Sequence, residues 1–251
     1  MKTIGLVAAI LLLTPNSAFA DEPLRIGDFY KMVLSTPQRT GLLNLVIQEA
    51  FSRVGKKVDF VQLPPGRSII LANDGLIDGD ISRVSDIHKI TNYKFPNIVK
   101  VPEKLFDAYY VGFSKNSDIK LNGWKSLNPY SIGIVTGFKI MEMNTKGVKN
   151  LTKVENPILL FTLLQKDRVE IIVYDRFIGY GVLKQMKMKG VKALLPPLAT
   201  RAFFLYLHKK HSRLIPQLAA VMAEMKADGT YEGIYNKTIR PLIEEVEGWS
   251  K

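Results

Sequence analysis

Acidic and hydroxyl side chains stand directly after two apolar runs of the sequence, where they can bind a charged solute. Asp175 follows residues 169–174, and Thr136 and Gly137 follow residues 130–135. In open α/β sheets, ligands bind beyond the carboxyl ends of the strands. A carboxylate in that position takes a cationic group, and the N–H groups at a helix start take an anion. The pattern predicts recognition of a small polar solute.

Each of these groups also has a purely local explanation. Asp175 is a favoured N-cap for a helix that begins at Arg176. Gly137 is typical of a tight turn between a strand and a helix. For the turn both roles can hold at once, with Phe138 as a wall of the site.

Two arginines are candidates for binding a carboxylate or a phosphate. Arg83 interrupts a predicted strand close to the expected cleft, and Arg67 begins a helix that faces this cleft. The guanidinium group presents a planar fork of donors, which suits both anions. The alternatives are an ion pair of Arg83 with Asp78 or Asp80, and a solvated helix start for Arg67.

Tyrosines complete the candidate set. Tyr30, in the loop after the first strand, is placed to stack on a solute or to lie on the surface. Tyr109 and Tyr110 are neighbours on one strand, so one points inward to the core or cleft and the other outward. We take Tyr110 as the candidate for contact with the solute.

No residue pattern indicates catalysis, a cofactor or a metal. The sequence has no G-x-S-x-G, H-E-x-x-H or Walker A motif, and it has no cysteine. His208 and His211 have no Asp or Glu beside them in the sequence, so solvent exposure is favoured over a zinc site. We therefore expect a protein that is not an enzyme and holds neither cofactor nor metal.

Alternating strands and helices must position these residues. Strand, helix, strand, helix and strand follow one another between residues 24 and 84, as in a parallel sheet with crossover helices. A second unit of this kind begins near Tyr130, and two longer apolar strands join the units. The expected fold class is α/β with two lobes, each a sheet flanked by helices. Lobe 1 is predicted over residues 21–106 and 200–251, and lobe 2 over residues 107–199.

The first twenty residues predict export. Lys2, the apolar run from Ile4 to Leu13 and an A-x-A ending at Ala20 are typical of a signal peptide over residues 1–20. No later segment is apolar enough to span a bilayer, and no cysteine is present to carry a lipid anchor. We expect a soluble, monomeric protein of the periplasm without a membrane anchor.

The net charge of +12 does not indicate a nucleic-acid partner. The lysines are scattered, as in residues 184–189, and form no arginine-rich arm and no aromatic RNA motif. Scattered lysines are typical of solvated helix faces. The sequence therefore favours a small-molecule partner.

Six short segments, in their order and spacing, resemble the bacterial extracellular solute-binding protein family 3, the amino-acid-type periplasmic binding proteins. The segments are residues 24–27, 75–78, 109–114, 132–137, 163–170 and 227–231. Residues 67–83 also resemble a divergent branch with the pattern R…LANxGxxDGD…R. The resemblance implies a type II two-lobed fold, a ligand held between the lobes, and a role for Asp175 in binding an α-amine.

The sequence departs from this family at one position. Amino-acid binders usually place an arginine shortly after the third strand, where it clamps an α-carboxylate. Residues 85–89 contain no arginine. Arg83 is the candidate substitute, and the solute is expected to be an amino acid, a related zwitterion or an organic anion.

The expected function is capture of a solute by closure of the two lobes around it. The partner would be an ABC permease or the periplasmic domain of a sensor. A dehydratase-like enzyme on the same fold, with Asp175 as general acid, is the alternative. A scaffold whose cleft serves a protein partner is a third possibility.

Overall fold

The computed structural model describes residues 22–29 and 32–249, and the backbone alone at Ser82. The predicted signal peptide lies outside the described residues. The described residues form eight strands and nine α-helices. The strands are β1 (Leu24–Asp28), β2 (Val58–Gln62), β3 (Gly79–Val84), β4 (Ile98–Ser114), β5 (Ile132–Val135), β6 (Leu151–Val154), β7 (Ile171–Asp175) and β8 (Lys192–His208). The helices are α1 (Leu42–Arg53), α2 (Pro65–Asn73), α3 (Ile87–Ile90), α4 (Lys139–Asn144), α5 (Pro157–Gln165), α6 (Arg176–Met186), α7 (Ile215–Ala227), α8 (Thr230–Thr238) and α9 (Arg240–Gly248).

The strands form one mixed sheet in the order β2-β1-β3-β8-β4-β7-β5-β6. In one half, β1 pairs in parallel with β2 and β3, and β3 pairs antiparallel with β8. In the other half, β5 pairs in parallel with β6 and β7, and β7 pairs antiparallel with β4. The two halves therefore repeat one topology, and the predicted α/β class is correct.

Two long strands connect the halves. β4 and β8 pair antiparallel from Ile98 opposite His208 to Ser114 opposite Lys192. β8 pairs with β3 near its carboxyl end, and β4 pairs with β7 near its own carboxyl end. Each crossing strand therefore spans both halves.

Local sequence explains where several helices begin. α5 starts with Asn156 as N-cap, whose side chain accepts the N–H of Leu159, and with Pro157 at its first position. α1 lies between Gly41 and the turn at Gly55, and its buried face carries Leu43, Ile47 and Phe51. The glycines at 41 and 55 predict a helix between them, and Asn156-Pro157 predict a helix start; both predictions are confirmed within two residues.

Other elements differ from the sequence predictions. The helix predicted to be the last ends near Asp228, but α8 and α9 follow it, so Glu244 and Glu245 are helical rather than part of a solvated tail. β6 was not predicted, because residues 152 and 153 are polar at a sheet edge. β4 begins at Ile98, ahead of the aromatic run that indicated it.

Candidate functional site

The register of the crossing strands brings the carboxyl ends of both parallel halves toward one short region. Val84, the last residue of β3, is opposite Phe203 of β8. Asp175, the last residue of β7, is opposite Tyr110 of β4, which is in turn opposite Ala199 of β8. The four-residue step along β8 from Phe203 to Ala199 spans about 13 Å at roughly 3.3 Å per residue. We call this space, between the ends of β3 and β7, the interlobe gap.

Asp175 lies at the edge of the interlobe gap and is only 5% exposed. Its Oδ1 accepts the N–H of Phe177 at 3.0 Å and of Ile178 at 2.9 Å. The N-cap alternative is thus confirmed, because these are two of the amide groups that a helix leaves without an internal acceptor. Contact of Asp175 with a solute stays a prediction.

Two phenols adjoin Asp175. Burial, together with the negative charge of Asp175, raises the pKa of Tyr110 and of Tyr174. Both hydroxyl groups are therefore neutral at physiological pH. Tyr110 is buried and lies on the strand directly opposite Asp175, whereas Tyr109 is half-buried with its ring edge-on to Phe177 rather than pointing outward into solvent.

The turn after β5 is held by contacts within the chain. Gly137 has φ +87°, a left-handed conformation that favours glycine, and its N–H donates to Oε1 of Glu142 at 2.9 Å. The N–H of Thr136 donates to the carbonyl of Val154 at 2.9 Å, and its exposed hydroxyl contacts the same carbonyl at 3.2 Å. A solute anion at the Gly137 amide would have to displace Glu142.

Phe138 connects this turn to the end of β7. Its ring packs edge-on against Tyr174, with 5.7 Å between the ring centroids. Tyr174 precedes Asp175 in the same strand. The structure therefore brings Thr136, Gly137 and Phe138 to the same end of lobe 2 as Asp175.

Arg83 is engaged by neighbours in its own lobe. Its Nε donates to Oδ1 of Asp80 at 2.9 Å, and its Nη2 donates to Oδ2 of Asp80 and, at 2.6 Å, to the carbonyl of Pro65. The side chains of Asp80 and Arg83 are 3% and 15% exposed. The ion-pair alternative for Arg83 is confirmed, and it ties the start of α2 to β3.

Arg67 lies in the first turn of α2 and is exposed. Its backbone N–H donates to the carbonyl of Pro64 at 3.0 Å, and its side chain makes no hydrogen bond or ion pair within the part of the chain that the structure describes. Arg67 lies at the carboxyl side of β2, and its contact with a solute stays a prediction. Its exposure also agrees with the alternative of a solvated helix start. Tyr30 lies outside the described residues, so its role stays a prediction.

Asp28 was not a candidate in the sequence, although it ends β1 at the same side of the sheet. It is buried, and its Oδ2 accepts Nδ2 of Asn44 at 3.0 Å, Nε2 of Gln62 at 3.1 Å and the hydroxyl of Ser35. This network fixes the segment that follows β1. An acidic residue at a strand end was the available signal, and it marks a structural role here.

Arg201 is a second residue that sequence reasoning missed. It is exposed, lies on β8 opposite Ala108, and its side chain makes no hydrogen bond or ion pair to any described residue. Its positive charge opposes the rise in the pKa of Tyr110 that burial causes. Nothing in the sequence around Arg201 distinguishes it, because only the register of β4 and β8 shows that it lies in the interlobe gap.

His208 and His211 lie away from the interlobe gap. Oδ1 of Asp78 contacts Nε2 of His211 at 2.6 Å and Nζ of Lys210 at 2.8 Å, so His211 is half-buried against an acidic residue distant in the sequence rather than solvent-exposed. Although burial opposes the change, hydrogen bonds from Lys210, the Arg25 amide and His211 lower the pKa of Asp78. No group of three metal-ligating side chains occurs among residues 22–29 and 32–249. Surface depressions lined by Arg25 and Lys56 also lie at the amino end of β1, away from the interlobe gap.

Comparison with known proteins establishes the fold. No protein-family model matches the chain. An uncharacterized protein of Shewanella oneidensis is 26% identical over 199 residues, which cover 75% of this chain and 72% of that protein. No helix among the described residues is both long and apolar enough to cross a membrane.

Solved structures resemble the chain over most of its length. The GluR0 ligand-binding core in complex with L-glutamate superposes with a TM-score of 0.73 at 14% identity, covering 88% of this chain and 99% of that chain. A histidine kinase sensor domain with similarity to periplasmic binding proteins gives 0.68 at 14%, covering 87% and 96%. An ancestral arginine-binding protein bound to arginine gives 0.67 at 21%, covering 86% and 97%. The chain thus has the two-lobed fold of periplasmic binding proteins, as predicted.

Proposed function

We propose that this protein is a periplasmic solute-binding protein, which captures a small polar solute in the interlobe gap by hinge closure. The solute class is an amino acid, a related zwitterion or an organic anion. The observation that carries the proposal is the register: the carboxyl ends of β3 and β7 point toward one another across two continuous strands, about 13 Å apart as measured along β8. The space beyond the carboxyl ends of strands is where α/β sheets bind ligands.

The charges at the gap support a polar solute. Asp175 stands at one end, and Arg67 and Arg201 are exposed cations on the other lobe and on the crossing strand. Closure would bring groups from both lobes onto the solute, and it is favoured only if they bind the solute better when closed. Tyr110, Thr136, Gly137 and Phe138 line the lobe 2 side of the proposed site.

The proposed partner is an ABC permease or the periplasmic domain of a sensor. Similar structures include the substrate-binding protein of an amino acid ABC transporter and a histidine kinase sensor domain, which support both kinds of partner. Export to the periplasm rests on the signal peptide predicted over residues 1–20. We propose a monomer with lobe 1 over residues 21–106 and 200–251 and lobe 2 over residues 107–199.

The proposal is tested by thermal unfolding with a panel of amino acids, polyamines, organic acids and peptides. A solute at one hundred times its dissociation constant stabilises the folded state by about 2.7 kcal/mol. We expect one or more compounds of the panel to raise the melting temperature and to be recovered chemically unchanged. Conversion of the bound compound would instead support the dehydratase-like alternative.

Asp175→Asn tests the role of Asp175 more sharply than Asp175→Ala. Asparagine caps helices about as well as aspartate, whereas alanine costs about 1 kcal/mol of helix stability. We expect Asp175→Asn to weaken binding of the stabilising compound at least about tenfold, because it removes a charge-assisted contact. The measurement is calorimetric titration, with Asp118→Asn, an exposed loop residue of lobe 2, as matched control. An unchanged dissociation constant would remove Asp175 from the site.

A further inference from the structure

We propose that Arg201 is the residue that binds a carboxylate group of the solute, and that this site therefore selects solutes that carry a carboxylate. The inference rests on the proposed function and adds to it the chemical class of the ligand and the group that recognises it.

Arg201 lies midway along the interlobe gap. It is two residues from Phe203, which is opposite the end of β3, and two residues from Ala199, which is on the level of the end of β7. At roughly 3.3 Å per residue, each end is thus about 7 Å away along the strand. A solute that contacts both lobes must therefore lie over Arg201.

The side chains that share the sheet face of Arg201 are small or aromatic. Residues that pair across an antiparallel ladder point to the same face, so Ala108, Ala199 and Tyr110 share the face of Arg201. The two alanines are small. The phenol of Tyr110 stands on one side, and the rings of Phe106 and Phe203, stacked with 5.2 Å between centroids, stand on the other. On this face Arg201 is thus exposed beside the buried side chains of Ala108 and Tyr110.

Arg83 and Arg176 are engaged within the protein, whereas Arg67, on lobe 1, and Arg201 are exposed. Arg83 is held by Asp80 and Pro65. Arg176 donates to Glu247 at 2.7 Å and to the hydroxyl of Tyr180 at 3.2 Å. Arg201 has no such contact among the described residues. Its planar fork can therefore bind a carboxylate through two parallel hydrogen bonds.

The geometry also orients a zwitterion. Asp175 and Arg201 lie on either side of Tyr110, one on β7 and one on β8. A carboxylate would lie toward Arg201, and a cationic group of the same solute would lie toward Asp175. The neutral hydroxyl of Tyr110 adjoins both positions.

The test compares matched pairs of probes on the full chain. The pairs are L-arginine and L-argininamide, and succinate and succinamide, with putrescine as a cation without a carboxylate. Binding is measured by thermal shift and then by calorimetric titration. We expect a carboxylate probe to bind at least about tenfold more tightly than its amide, since a hydrogen bond between charged groups is lost.

Arg201→Gln should weaken binding of that carboxylate at least about tenfold and bring its dissociation constant close to that of the amide. If the variant no longer discriminates between a carboxylate and its amide, Arg201 recognises the carboxylate. A merely structural role would weaken binding of both probes. Arg168→Gln is the matched control, because Arg168 is exposed and lies before β7, away from the gap. Arg201→Lys, which keeps the charge but not the fork, should give an intermediate affinity.

The outcomes separate the two proposals. If an amide or putrescine binds as tightly as a carboxylate, or if Arg201→Gln keeps the wild-type dissociation constant, the role of Arg201 is overturned while the solute-binding function stands. If no probe raises the melting temperature, both proposals fail. If Arg201→Gln does not fold, the probe pairs on the wild-type protein and Arg201→Lys still decide the question.

Discussion

The candidate residues divide into those held by the fold and those left facing the interlobe gap. Asp28, Asp80 and Arg83 each have several partners within lobe 1, and these contacts explain why such polar groups are buried. A buried charge is tolerated when it is paired and hydrogen-bonded. Arg67 and Arg201 are exposed instead, which leaves their guanidinium groups accessible to a solute.

Arg83→Gln should destabilise the fold rather than abolish solute binding. Removing one partner of a buried ion pair leaves the other charge unpaired, at a cost of roughly 3 kcal/mol. Asp80 is that charge, because its side chain is only 3% exposed. Urea unfolding measures the loss, and adding Asp80→Asn to the variant should recover much of it. A weakening of solute binding beyond about tenfold, in a folded variant, would instead indicate that Arg83 contacts the solute.

At the scale of elements, the sequence predicted those helices whose ends are marked by glycine, asparagine or proline. Gly41, Gly55 and Asn156-Pro157 mark the ends of α1 and the start of α5. Gly229 predicted the end of α7. The helices that follow it were not predicted, although Leu242 and Val246 stand four apart and are buried. Asp175 was a candidate site residue in the sequence because it stands directly after the apolar run of a predicted strand. Arg201 could not be predicted, because its position depends on pairing between strands about 90 residues apart in the sequence.

The C-terminal helix α9 attaches to α6 through the carboxylates of Glu247 and Glu245, the second of which accepts Nζ of Lys184 at 2.6 Å. Oε1 of Glu247 accepts Nη2 of Arg176 and the hydroxyl of Tyr180, both at 2.7 Å. Burial of this hydroxyl, opposed by Arg176 and reinforced by Glu247, raises the pKa of Tyr180 to about 12. α6 begins directly after Asp175, so α9 stabilises the helix that Asp175 caps.

Glu247→Ala should therefore lower the stability of the protein by about 1 kcal/mol, because two hydrogen bonds are lost at a partly exposed site. Glu244→Ala is the matched control, since Glu244 is an exposed glutamate of the same helix. Thermal or urea unfolding gives the difference. Equal stability of the two variants would show that α9 does not depend on this contact.

At the scale of the whole molecule, the crossing strands β4 and β8 are continuous, but their pairing is irregular in two regions. β4 and β8 pair in regular register from Phe106 opposite Phe203 to Tyr110 opposite Ala199. Register shifts lie on both sides, between Lys104 and Phe106 and between Tyr110 and Gly112. Such irregularities bend strands locally. They are the positions where hinge closure would change the angle between the lobes.

The most direct test of this account is a crystal structure with a compound that raises the melting temperature. We expect its density in the interlobe gap, between the ends of β3 and β7, with a carboxylate on Arg201 and polar contact to Asp175. Density at the amino ends of β1 and β3, near Arg25 and Lys210, would contradict the central claim.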